Sequence, residues 1–400
     1  MKRQEKNKVF DEIRKKVRQL TPDVIKWRRW FHQHPELAFE EKLTSQRIQQ
    51  ILKERNIPFH LCGKTGLVAY LQGDRPGTCL GLRADMDALP ISEETNLPFV
   101  SLYPGRMHAC GHDAHMATAL AVGAVLVQYR QFLPGTIKFI FQPAEEKPPG
   151  GAREILASGL IDEIKGLLGF HYFPDLPKGK YWIGEGSILA ATDQFSIIVS
   201  GHGGHASAPH LTSDPIVAAS FIINQTQTIV SRRVDPLKSA VVSFGSIHGG
   251  DAFNVIPSTV HLKGTVRTLE EKTRKLVVTA LKKICHSVQC FDCRAELDFQ
   301  SYCPATKNDV ALAKKIKLIS KKILKKNALV QYHPLMGGED FAFYSQKIPS
   351  CYIFAGIGRH CGNNHSSTFT LDESVLPVTT CYLSCLLWQL AWDTSQMSTR

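Results

Sequence analysis

The chain is organised around Met107-His108-Ala109-Cys110-Gly111-His112-Asp113-Ala114-His115, together with a second segment, Gln142-Pro143-Ala144-Glu145-Glu146. Cysteine and histidine are ligands that zinc-like ions prefer, and a pair of glutamates suits a metal-bound water with an adjacent base. Three further turns carry histidines that can join them: Phe170-His171-Tyr172, His202-Gly203-Gly204-His205 and Asn364-His365-Ser366. This pattern predicts a metal-dependent hydrolase.

The length of the chain, 400 residues, exceeds what one hydrophobic core usually supports, so two domains are expected. An apolar content of 43% and a charged content of 21% are ordinary for a soluble globular protein. Residues 1–10 lack the apolar stretch of a secretory signal, and no run of about 18 apolar residues occurs; the longest candidate is residues 117–127. We therefore expect a soluble, cytoplasmic protein that does not act at a membrane.

The cysteines and the net charge each suggest a function that the local pattern disfavours. The eleven cysteines are expected to be free thiols or ligands, although Cys285, Cys290, Cys293 and Cys303 follow the order of plant-type iron–sulfur proteins. Helical and strand patterns around Cys285 and Cys293 favour core cysteines instead. The net charge of +12 comes largely from residues 314–326, where isoleucines recur at helical spacing. That segment predicts a helix with a solvated lysine face, and no nucleic-acid partner is expected.

Apolar, strand-forming runs alternate with helical patterns along most of the chain. Strands are predicted at residues 66–71, 78–83, 136–141, 166–171 and 351–355, and helices at about residues 112–129, 152–160 and 377–392. This order predicts an α/β fold with a mixed sheet covered by helices. Residues 10–56 predict two helices, with Thr21-Pro22 starting the second one and residues 27–37 interrupting it. Pro35 indicates a turn packed on the core there, so His32 and His34 are given structural roles.

The pattern changes between residues 188 and 303. A strand at residues 195–200 and a helix at 214–230 precede strands at 240–247 and 259–266, a helix at 269–288 and a strand at 291–299. The order β-α-β-β-α-β predicts a ferredoxin-like unit. Because it lies within the α/β order, it is interpreted as an inserted α+β domain. The predicted domains are residues 1–187 and 304–400, which form one domain, and the insert 188–303.

Candidate site residues follow the predicted strands of the first domain. Asp85 and Asp87 follow one strand, Glu145 and Glu146 follow the next, and His171 closes the one after. Ligand sites in open α/β sheets lie outside the carboxyl ends of the strands, so these residues are expected to converge.

Cys110 and His112 are separated by one residue, so a turn can present both to one ion. A buried thiol with a capping histidine is an alternative interpretation, and a thiol nucleophile activated by His112 or His108 is another. The Glu145-Glu146 pair argues against the nucleophile, because adjacent carboxylates repel each other unless cations neutralise them.

The chain resembles the aminoacylase/carboxypeptidase family of di-metal amidohydrolases, in the branch of hippurate hydrolases, N-acyl-amino-acid deacylases and auxin-conjugate hydrolases. The resemblance covers essentially the whole chain. Its motifs are residues 27–37, Arg83-Ala84-Asp85-Met86-Asp87-Ala88-Leu89-Pro90, the Cys110–His115 and Gln142–Glu146 segments, Gly203-Gly204-His205-Ala206-Ser207-Ala208-Pro209-His210, Asn254-Val255-Ile256-Pro257, Gly264-Thr265-Val266-Arg267-Thr268 and Gly337-Gly338-Glu339-Asp340-Phe341.

The resemblance implies a zinc-peptidase-like catalytic domain with an inserted lid and dimerisation domain, and a role for each motif residue. The implied ligands of two divalent ions are Cys110, His112, Glu146, His171 and His365. Glu145 is the implied general base, and His205 the implied oxyanion-stabilising residue, often acting across a dimer interface. Asn254 and Arg267 are the implied substrate-holding residues. Asp85, Asp87, Asp113 and His115 are expected to orient the ligands.

One segment departs from the family pattern. Family members commonly have proline two residues after the histidine that corresponds to His365, whereas Ser366-Ser367-Thr368-Phe369 follow here. This difference puts the pocket shape near His365 in doubt more than its role. His360 is a competing candidate, but the position of Phe369 keeps His365 in register with the family.

The sequence therefore predicts a metal-dependent amidohydrolase that cleaves N-acyl-L-amino acids to a carboxylate and an amino acid. A dipeptidase or carboxypeptidase with the same site is the alternative, since both substrates carry an amide next to a free carboxylate. A non-catalytic metal-binding or thiol-regulated binding protein with the same fold is a further alternative. Zinc or manganese is the expected metal, with cobalt or nickel also suited to the ligands. A homodimer or higher homo-oligomer is expected from the family.

Overall fold

A computed structural model describes the backbone of residues 3–395 and the side chains of residues 8–394, so the first residues of the 1–10 segment lie outside it. Two compact units are present. The first comprises Met1–Gly186, Lys307–Tyr332 and Phe343–Arg400, and the second comprises Ser187–Thr306 and His333–Ala342. Each unit has its own hydrophobic core.

Helices and strands alternate through the described residues. The helices are α1 Arg3–Gln33, α2 Lys42–Glu54, α3 His112–Leu126, α4 Ala152–Ala157, α5 Pro215–Thr228, α6 Glu271–Ser287, α7 Val310–Ile323, α8 Ala342–Ser345 and α9 Val375–Ser395. The strands are β1 Phe59–Cys62, β2 Gly66–Gln72, β3 Arg75–Asp85, β4 Pro134–Gln142, β5 Ile164–Phe173, β6 Tyr181–Trp182, β7 Gly186–Leu189, β8 Ala191–Ser200, β9 Gly204–His205, β10 Ala240–His248, β11 Val255–Ile256, β12 Thr259–Thr268, β13 Arg294–Cys303, β14 Thr306–Asn308, β15 Leu329–Val330 and β16 Ser350–Gly356.

The first unit is built on an eight-stranded mixed sheet in the order β1-β2-β4-β3-β5-β16-β6-β15. Its central strands β4, β3, β5 and β16 run parallel to one another, whereas β2 beside β4 and β6 beside β16 run antiparallel to them. Every residue of β16 is buried. Successive side chains of a strand point to opposite faces, so continuous burial means that both faces of the sheet are covered. Helices α3 and α9 pack on β3 and on each other. The predicted α/β fold with a mixed sheet is confirmed.

The last helix, α9, is strongly apolar along its whole length. The segment Val375–Thr394 is long and apolar enough to cross a membrane, but 72% of it is buried inside the protein. It packs against α1, α3, α7 and β3. A helix that is apolar on all sides is expected at the centre of a large core, and α9 occupies that position in the first unit.

Residues 10–56 form two helices, α1 and α2, as predicted, but the predicted boundary at Thr21-Pro22 is wrong, because α1 is continuous through Pro22 from Arg3 to Gln33. Proline inside a helix costs about 3 kcal/mol, because it removes a backbone hydrogen bond and crowds the preceding turn. The apolar stripe of α1 nevertheless continues across this position, with Val17, Val24 and Phe31 all buried. Each such side chain contributes roughly 1.5–3 kcal/mol on burial, so tertiary packing outweighs the local penalty. Pro35 lies beyond the helix end.

The second unit contains a four-stranded antiparallel sheet in the order β10-β12-β8-β13. In sequence, the elements run β8-α5-β10-β12-α6-β13, the predicted β-α-β-β-α-β order. Helices α5 and α6 pack on β12 and on each other. Its core includes Phe195, Ile197 and Leu281. The segment 333–342 groups with this unit, since Leu335 N–H donates to Ile188 O and Ala190 N–H donates to Gly337 O, both at 2.9 Å.

Candidate metal centre

Three parallel strands bring the candidate residues of the first unit to one edge of the sheet. β3 lies between β4 and β5, and Asp85 at its end is paired with Gln142 at the end of β4. Glu145 and Glu146 follow β4, and His171 lies near the end of β5. The carboxyl ends of these strands therefore meet at one place, as expected for a site in an open α/β sheet.

The start of α3 places Cys110 and His112 on either side of a tight turn. Gly111 caps the helix with φ 89°, in the left-handed region that glycine adopts without strain. Its carbonyl accepts hydrogen bonds from the N–H groups of Ala114 and His115. The helix therefore begins at His112, and its first turn points into the strand-end edge.

One nitrogen of His112 is held by the backbone, and the other is directed into the site. Nδ1–H donates to Asp87 O at 2.9 Å. Nε2 is buried and makes no hydrogen bond to any residue in the described part of the chain; it lies 3.6 Å from Asp85 Oδ2 and 3.9 Å from Glu146 Oε1. A histidine whose Nδ1–H is fixed by a carbonyl directs its Nε2 at the site and would ligate a metal through that atom in its neutral form.

His171 is oriented in the same way. Its Nδ1–H donates to Tyr172 O at 2.7 Å, and its Nε2 lies 3.3 Å from Cys110 Sγ. The ligand atoms of Cys110, His112 and His171 all lie within 4.8 Å of one another. This group contains one sulfur and two imidazole nitrogens, which suits a zinc-like divalent ion.

A second group shares Cys110 with the first one. Cys110, Glu146 and His365 also have ligand atoms within 4.8 Å of one another, and His365 Nε2 lies 3.1 Å from Glu146 Oε1. A third group links His112 with Glu145 and Glu146. The five predicted ligands and the predicted base thus form one set of overlapping clusters. Their geometry and donor types fit two neighbouring divalent ions.

The charges of this set also favour bound cations. Burial, followed by the charges of Glu146 and Glu145, raises the pKa of the Cys110 thiol well above its usual value. Burial lowers the pKa of His112, but Asp85 and Asp87 raise it overall to about 10. Burial and the neighbouring His115 lower the pKa of His171. A nucleophilic and a ligating cysteine both need the thiolate form, and a divalent cation bound beside these carboxylates would supply the charge that stabilises it.

His115 supports the centre without facing it. Its Nδ1–H donates to Asp85 Oδ1 at 2.6 Å, and its Nε2 accepts the backbone N–H of Tyr172 at 3.1 Å. Both nitrogens are therefore in use. The other oxygen of Asp85 lies 2.6 Å from the buried guanidinium of Arg83. Despite burial, the positive charges of His112, His115 and Arg83 lower the pKa of Asp85.

Asp113 belongs to a buried network with α1. Its Oδ2 lies 2.8 Å from Arg28 Nε and 2.8 Å from His32 Nδ1. Burial would raise the pKa of Asp113, but Arg28 and His32 lower it. His32 Nε2 lies 3.0 Å from Glu93 Oε1, while His34 Nδ1–H donates to Trp30 O at 2.7 Å. These contacts match the structural roles predicted for His32 and His34.

The turn that carries the glutamate pair is held by two carboxylates. Ala144 has φ 51°, a left-handed conformation that costs a residue with a side chain about 1–3 kcal/mol. Its N–H donates to Glu41 Oε1 at 2.8 Å, and Glu146 N–H donates to Asp87 Oδ2 at 2.9 Å. The second oxygen of Glu41 accepts the hydroxyl of Thr65 at 2.7 Å. Sequence reasoning missed Glu41, because an acidic residue before a helix usually serves that helix alone.

The segment after His365 forms a closed turn in place of the usual proline. His365 has φ 66° and donates its N–H to Ala109 O at 2.8 Å. Phe369 N–H donates to Ser366 O at 3.0 Å, and Ser367 Oγ donates to Glu94 Oε2 at 2.6 Å. His360 is exposed and belongs to none of the metal-compatible clusters found among the described residues.

The relatives of this chain assign it to a known peptidase family. Residues 81–389 match the peptidase family M20/M25/M40. The chain belongs to this family. The N-acetylcysteine deacetylase of Bacillus subtilis (strain 168) is 38% identical over 366 residues, which cover 90% of this chain and 95% of that protein. The thermostable carboxypeptidase 1 of Saccharolobus solfataricus is 35% identical over 377 residues, which cover 92% and 95%.

A solved structure extends the match to three dimensions. A Bacillus subtilis protein, described as a dinuclear metal binding peptidase from the M20 family, superposes with a TM-score of 0.84 and 34% identity, over 94% of this chain and 99% of that chain. This M20 protein is therefore a hydrolase of amide bonds, and the predicted family and enzyme class are confirmed.

Three predicted site residues of this M20 protein lie in the second unit. His205 is exposed in β9, which pairs with β11, and its Nδ1 lies 2.8 Å from Ser207 Oγ. Asn254 is exposed beside β11, and its carbonyl accepts the N–H of Ala206 at 3.0 Å. Arg267 is half-buried on β12 and lines a cavity of about 360 Å³. The accessible side chains of these three residues are better placed to contact a ligand than to stabilise the hydrophobic core.

The cysteine pattern that resembled an iron–sulfur site does not form one in the described chain. Cys285 and Cys293 are buried in the core of the second unit, whereas Cys290 is exposed. None of the four cysteines belongs to a metal-compatible cluster of the described residues. All eleven cysteines, each within the described range, are free thiols.

Proposed function

We propose that this protein is a metal-dependent amidohydrolase that cleaves N-acyl-L-amino acids, such as N-acetyl or N-benzoyl derivatives, to a carboxylate and a free amino acid. The observation that carries the proposal is the overlap of the Cys110–His112–His171 and Cys110–Glu146–His365 clusters beside Glu145. A relative named N-acetylcysteine deacetylase, 38% identical along most of both chains, supports this substrate class.

Two divalent ions per chain are proposed as the cofactor, held by Cys110, His112, Glu146, His171 and His365. When bound, such ions polarise an amide carbonyl and lower the pKa of a water molecule. Zinc or manganese is the proposed metal, and cobalt or nickel also suits a mixed set of sulfur, nitrogen and oxygen ligands. Asp87 and Tyr172 hold His112 and His171 in the orientation that ligation needs, through the two carbonyl contacts described above.

Glu145 is the proposed general base. Its carboxylate accepts a proton from the attacking water and then delivers that proton to the leaving nitrogen, so one group serves both steps. The left-handed turn at Ala144 aims this carboxylate and is held by Glu41. Glu146 follows directly and faces His365. The two neighbouring glutamates therefore have different proposed roles: Glu146 is a ligand and Glu145 is the base.

The residues of the second unit complete the proposal. His205 stabilises the negative charge that develops on the carbonyl oxygen, and Arg267 and Asn254 hold the substrate, with the guanidinium gripping the free carboxylate. We place the protein in the cytoplasm as a homodimer or higher homo-oligomer, with the second unit acting as lid and dimerisation domain. The exposed position of His205 and Asn254 leaves both side chains able to contact a substrate.

A dipeptidase or carboxypeptidase activity is the second candidate. The relative named thermostable carboxypeptidase 1, at 35% identity, supports it. A peptide substrate also presents an amide next to a free carboxylate, so the same residues would serve both reactions.

The deciding experiment combines metal analysis with a substrate panel. Protein purified without chelator or affinity metal is measured for zinc, manganese, cobalt and nickel, and metal-poor samples are reconstituted with each ion. Hydrolysis of N-acetyl and N-benzoyl amino acids is then compared with that of dipeptides. Preferred turnover of the N-acyl compounds is expected. Exclusive dipeptide turnover would reject the substrate class, and failure to bind any metal with Cys110 reduced would reject the mechanism.

A further inference from the structure

The first unit contains a second concave region that shares no residue with the candidate metal centre. This cavity of about 940 Å³ lies between α1, the end of α7, the start of α9 and the turn after β5. Six of its lining residues are cationic, and we call it the basic groove: Arg14, Arg18, Lys178, Lys180, Lys325 and Lys326. No aspartate or glutamate of the described chain lines it.

Apolar side chains form the floor of the basic groove. Val17 and Val375 are buried, and Leu324 is partly buried against the main core. Tyr181 and Tyr382 also reach the floor, but both are buried, and the Tyr382 hydroxyl bonds Ser320 Oγ at 2.7 Å. The groove thus combines an apolar surface with a cationic rim. Its volume falls in the usual range of roughly 300–1,000 Å³ for small-molecule sites.

Most of the rim charge is not neutralised within the protein. Arg14 lies 2.8 Å from Asp11, Lys178 pairs with Asp372, and Lys180 Nζ donates to Asn327 O at 2.8 Å. Arg18, Lys325 and Lys326 form no ion pair with any residue in the described range. Like charges gathered around one cavity repel each other and attract an anion.

Solvated surface lysines would explain the charges but not the apolar floor between them. The phosphates of a nucleic acid would contact the cationic rim but would leave the apolar floor uncovered. A flat anionic membrane would meet a convex basic surface better than a concavity. An anion with one apolar chain matches both parts of the groove, since its chain covers the floor and its head group meets the rim.

We propose that the basic groove binds a free fatty carboxylate, with the alkyl chain on Val17, Leu324 and Val375 and the carboxylate beside Arg18, Lys325 and Lys326. The basic groove and the candidate metal centre have no residue in common, so the proposal does not depend on the proposed hydrolytic function.

Equilibrium dialysis with dodecanoate, kept below its micelle-forming concentration, tests the proposal on the full chain. The variant Lys325→Glu/Lys326→Glu is expected to weaken binding by roughly tenfold or more, because two attractive contacts become repulsive, and added salt is expected to weaken wild-type binding. The matched control is Lys282→Glu/Lys283→Glu, which makes the same charge change on exposed positions of α6. Equal affinity in both variants would overturn the proposal.

The reactivity of Cys381 shows where the alkyl chain of dodecanoate binds. It lines the groove and is partly exposed, and its pKa is lowered by a hydrogen bond with Cys385 and by Arg14. Dodecanoate is expected to slow alkylation of Cys381 by iodoacetamide at least about fivefold, with exposed Cys290 as the internal control. Protection at both cysteines, or at neither while binding persists, would place the fatty acid elsewhere and overturn the proposal.

Related probes separate the chemistry of the ligand. If inorganic phosphate protects Cys381 to the same extent as dodecanoate does, the groove is a general anion site. Equal protection by dodecanol would reduce it to an apolar site, and protection by anionic phospholipid vesicles alone would assign the groove to a membrane surface. Each of these results rejects a fatty-carboxylate site, whereas selective protection by dodecanoate supports it.

Discussion

The candidate metal centre of the first unit and the candidate residues of the second unit are built in opposite ways. Asp85, Asp113 and His112 are buried, and each is held by two or more polar neighbours. His205 and Asn254 are exposed beside short strands. A buried polar group that loses its partner is costly, whereas an exposed one returns to water. Substitutions at the metal centre should therefore alter metal binding and stability, and those in the second unit should alter catalysis alone.

Glu145→Gln gives the largest expected effect. It tests whether a substitution at the metal centre can alter catalysis without altering metal binding. The amide keeps the size of the side chain but cannot take a proton, so kcat should fall by about 10²–10⁴-fold. Metal content should stay unchanged, because Glu145 is assigned to proton transfer rather than ligation. The matched control is Glu54→Gln on the exposed side of α2. Unchanged hydrolysis of every N-acyl amino acid would remove Glu145 from the mechanism.

Cys110→Ser tests the residue that both ligand clusters share. A hydroxyl is a poor substitute for a thiolate toward zinc-like ions, so metal affinity should fall more than about 100-fold. Elemental analysis after dialysis against defined free metal measures the change, and activity should fall in parallel. Cys290→Ser, at an exposed position, is the control. Full metal content in the Cys110 variant would show that the clusters do not act through this sulfur.

His205→Ala tests the exposed candidate residues of the second unit. Loss of one group that stabilises the oxyanion should lower kcat by on the order of 100-fold, while metal content and the unfolding midpoint stay as in the wild type. His248→Ala, an exposed change at the end of β10, is the control. If the His205 variant loses metal or stability instead, the contrast between the two regions fails.

Glu41→Gln gives a smaller effect, on stability and its pH dependence. Burial raises the pKa of Glu41 from 4.5 to about 7. The native state therefore keeps a proton that the unfolded chain releases, so this contribution to stability is complete below pH 4.5 and is lost as the pH rises through about 7. Between about pH 5 and pH 8, metal-free wild type should lose on the order of 2–3 kcal/mol more stability than the variant.

Urea unfolding of both proteins at these two pH values, with chelator present, measures the difference. Parallel pH dependence in the wild type and the Glu41→Gln variant would mean that this carboxyl does not titrate between them. Glu54→Gln serves again as the control, since its exposed side chain should leave the pH dependence as it is in the wild type.

Much of the fold followed from local pattern. The strands at residues 66–71, 136–141 and 351–355 were each predicted to within two residues of β2, β4 and β16. Apolar runs bounded by turn residues are strong signals of buried strands. The short strands β6, β11 and β15, each of two residues, carry no such signal, because pairing with neighbours alone defines them.

The N-terminal helix shows where local signals mislead. Thr21-Pro22 has the form of a helix start, yet α1 passes through it because the buried face of the helix extends on both sides. Propensity is a weak prior that packing overrides. The role of Glu41 was hidden for a related reason, since its contact with Ala144 joins residues 103 positions apart.

The sequence by itself determined the α/β class and the inserted β-α-β-β-α-β order, because these depend on periodicity. Its resemblance to a known family implied which residues belong to the candidate centre. Only the tertiary structure decided which atoms meet. It directed Nε2 of His112 and His171 into one space, gave both nitrogens of His115 to Asp85 and Tyr172, and gathered six cations around an apolar floor. Those arrangements depend on distances between strands and helices remote in sequence, which no local pattern encodes.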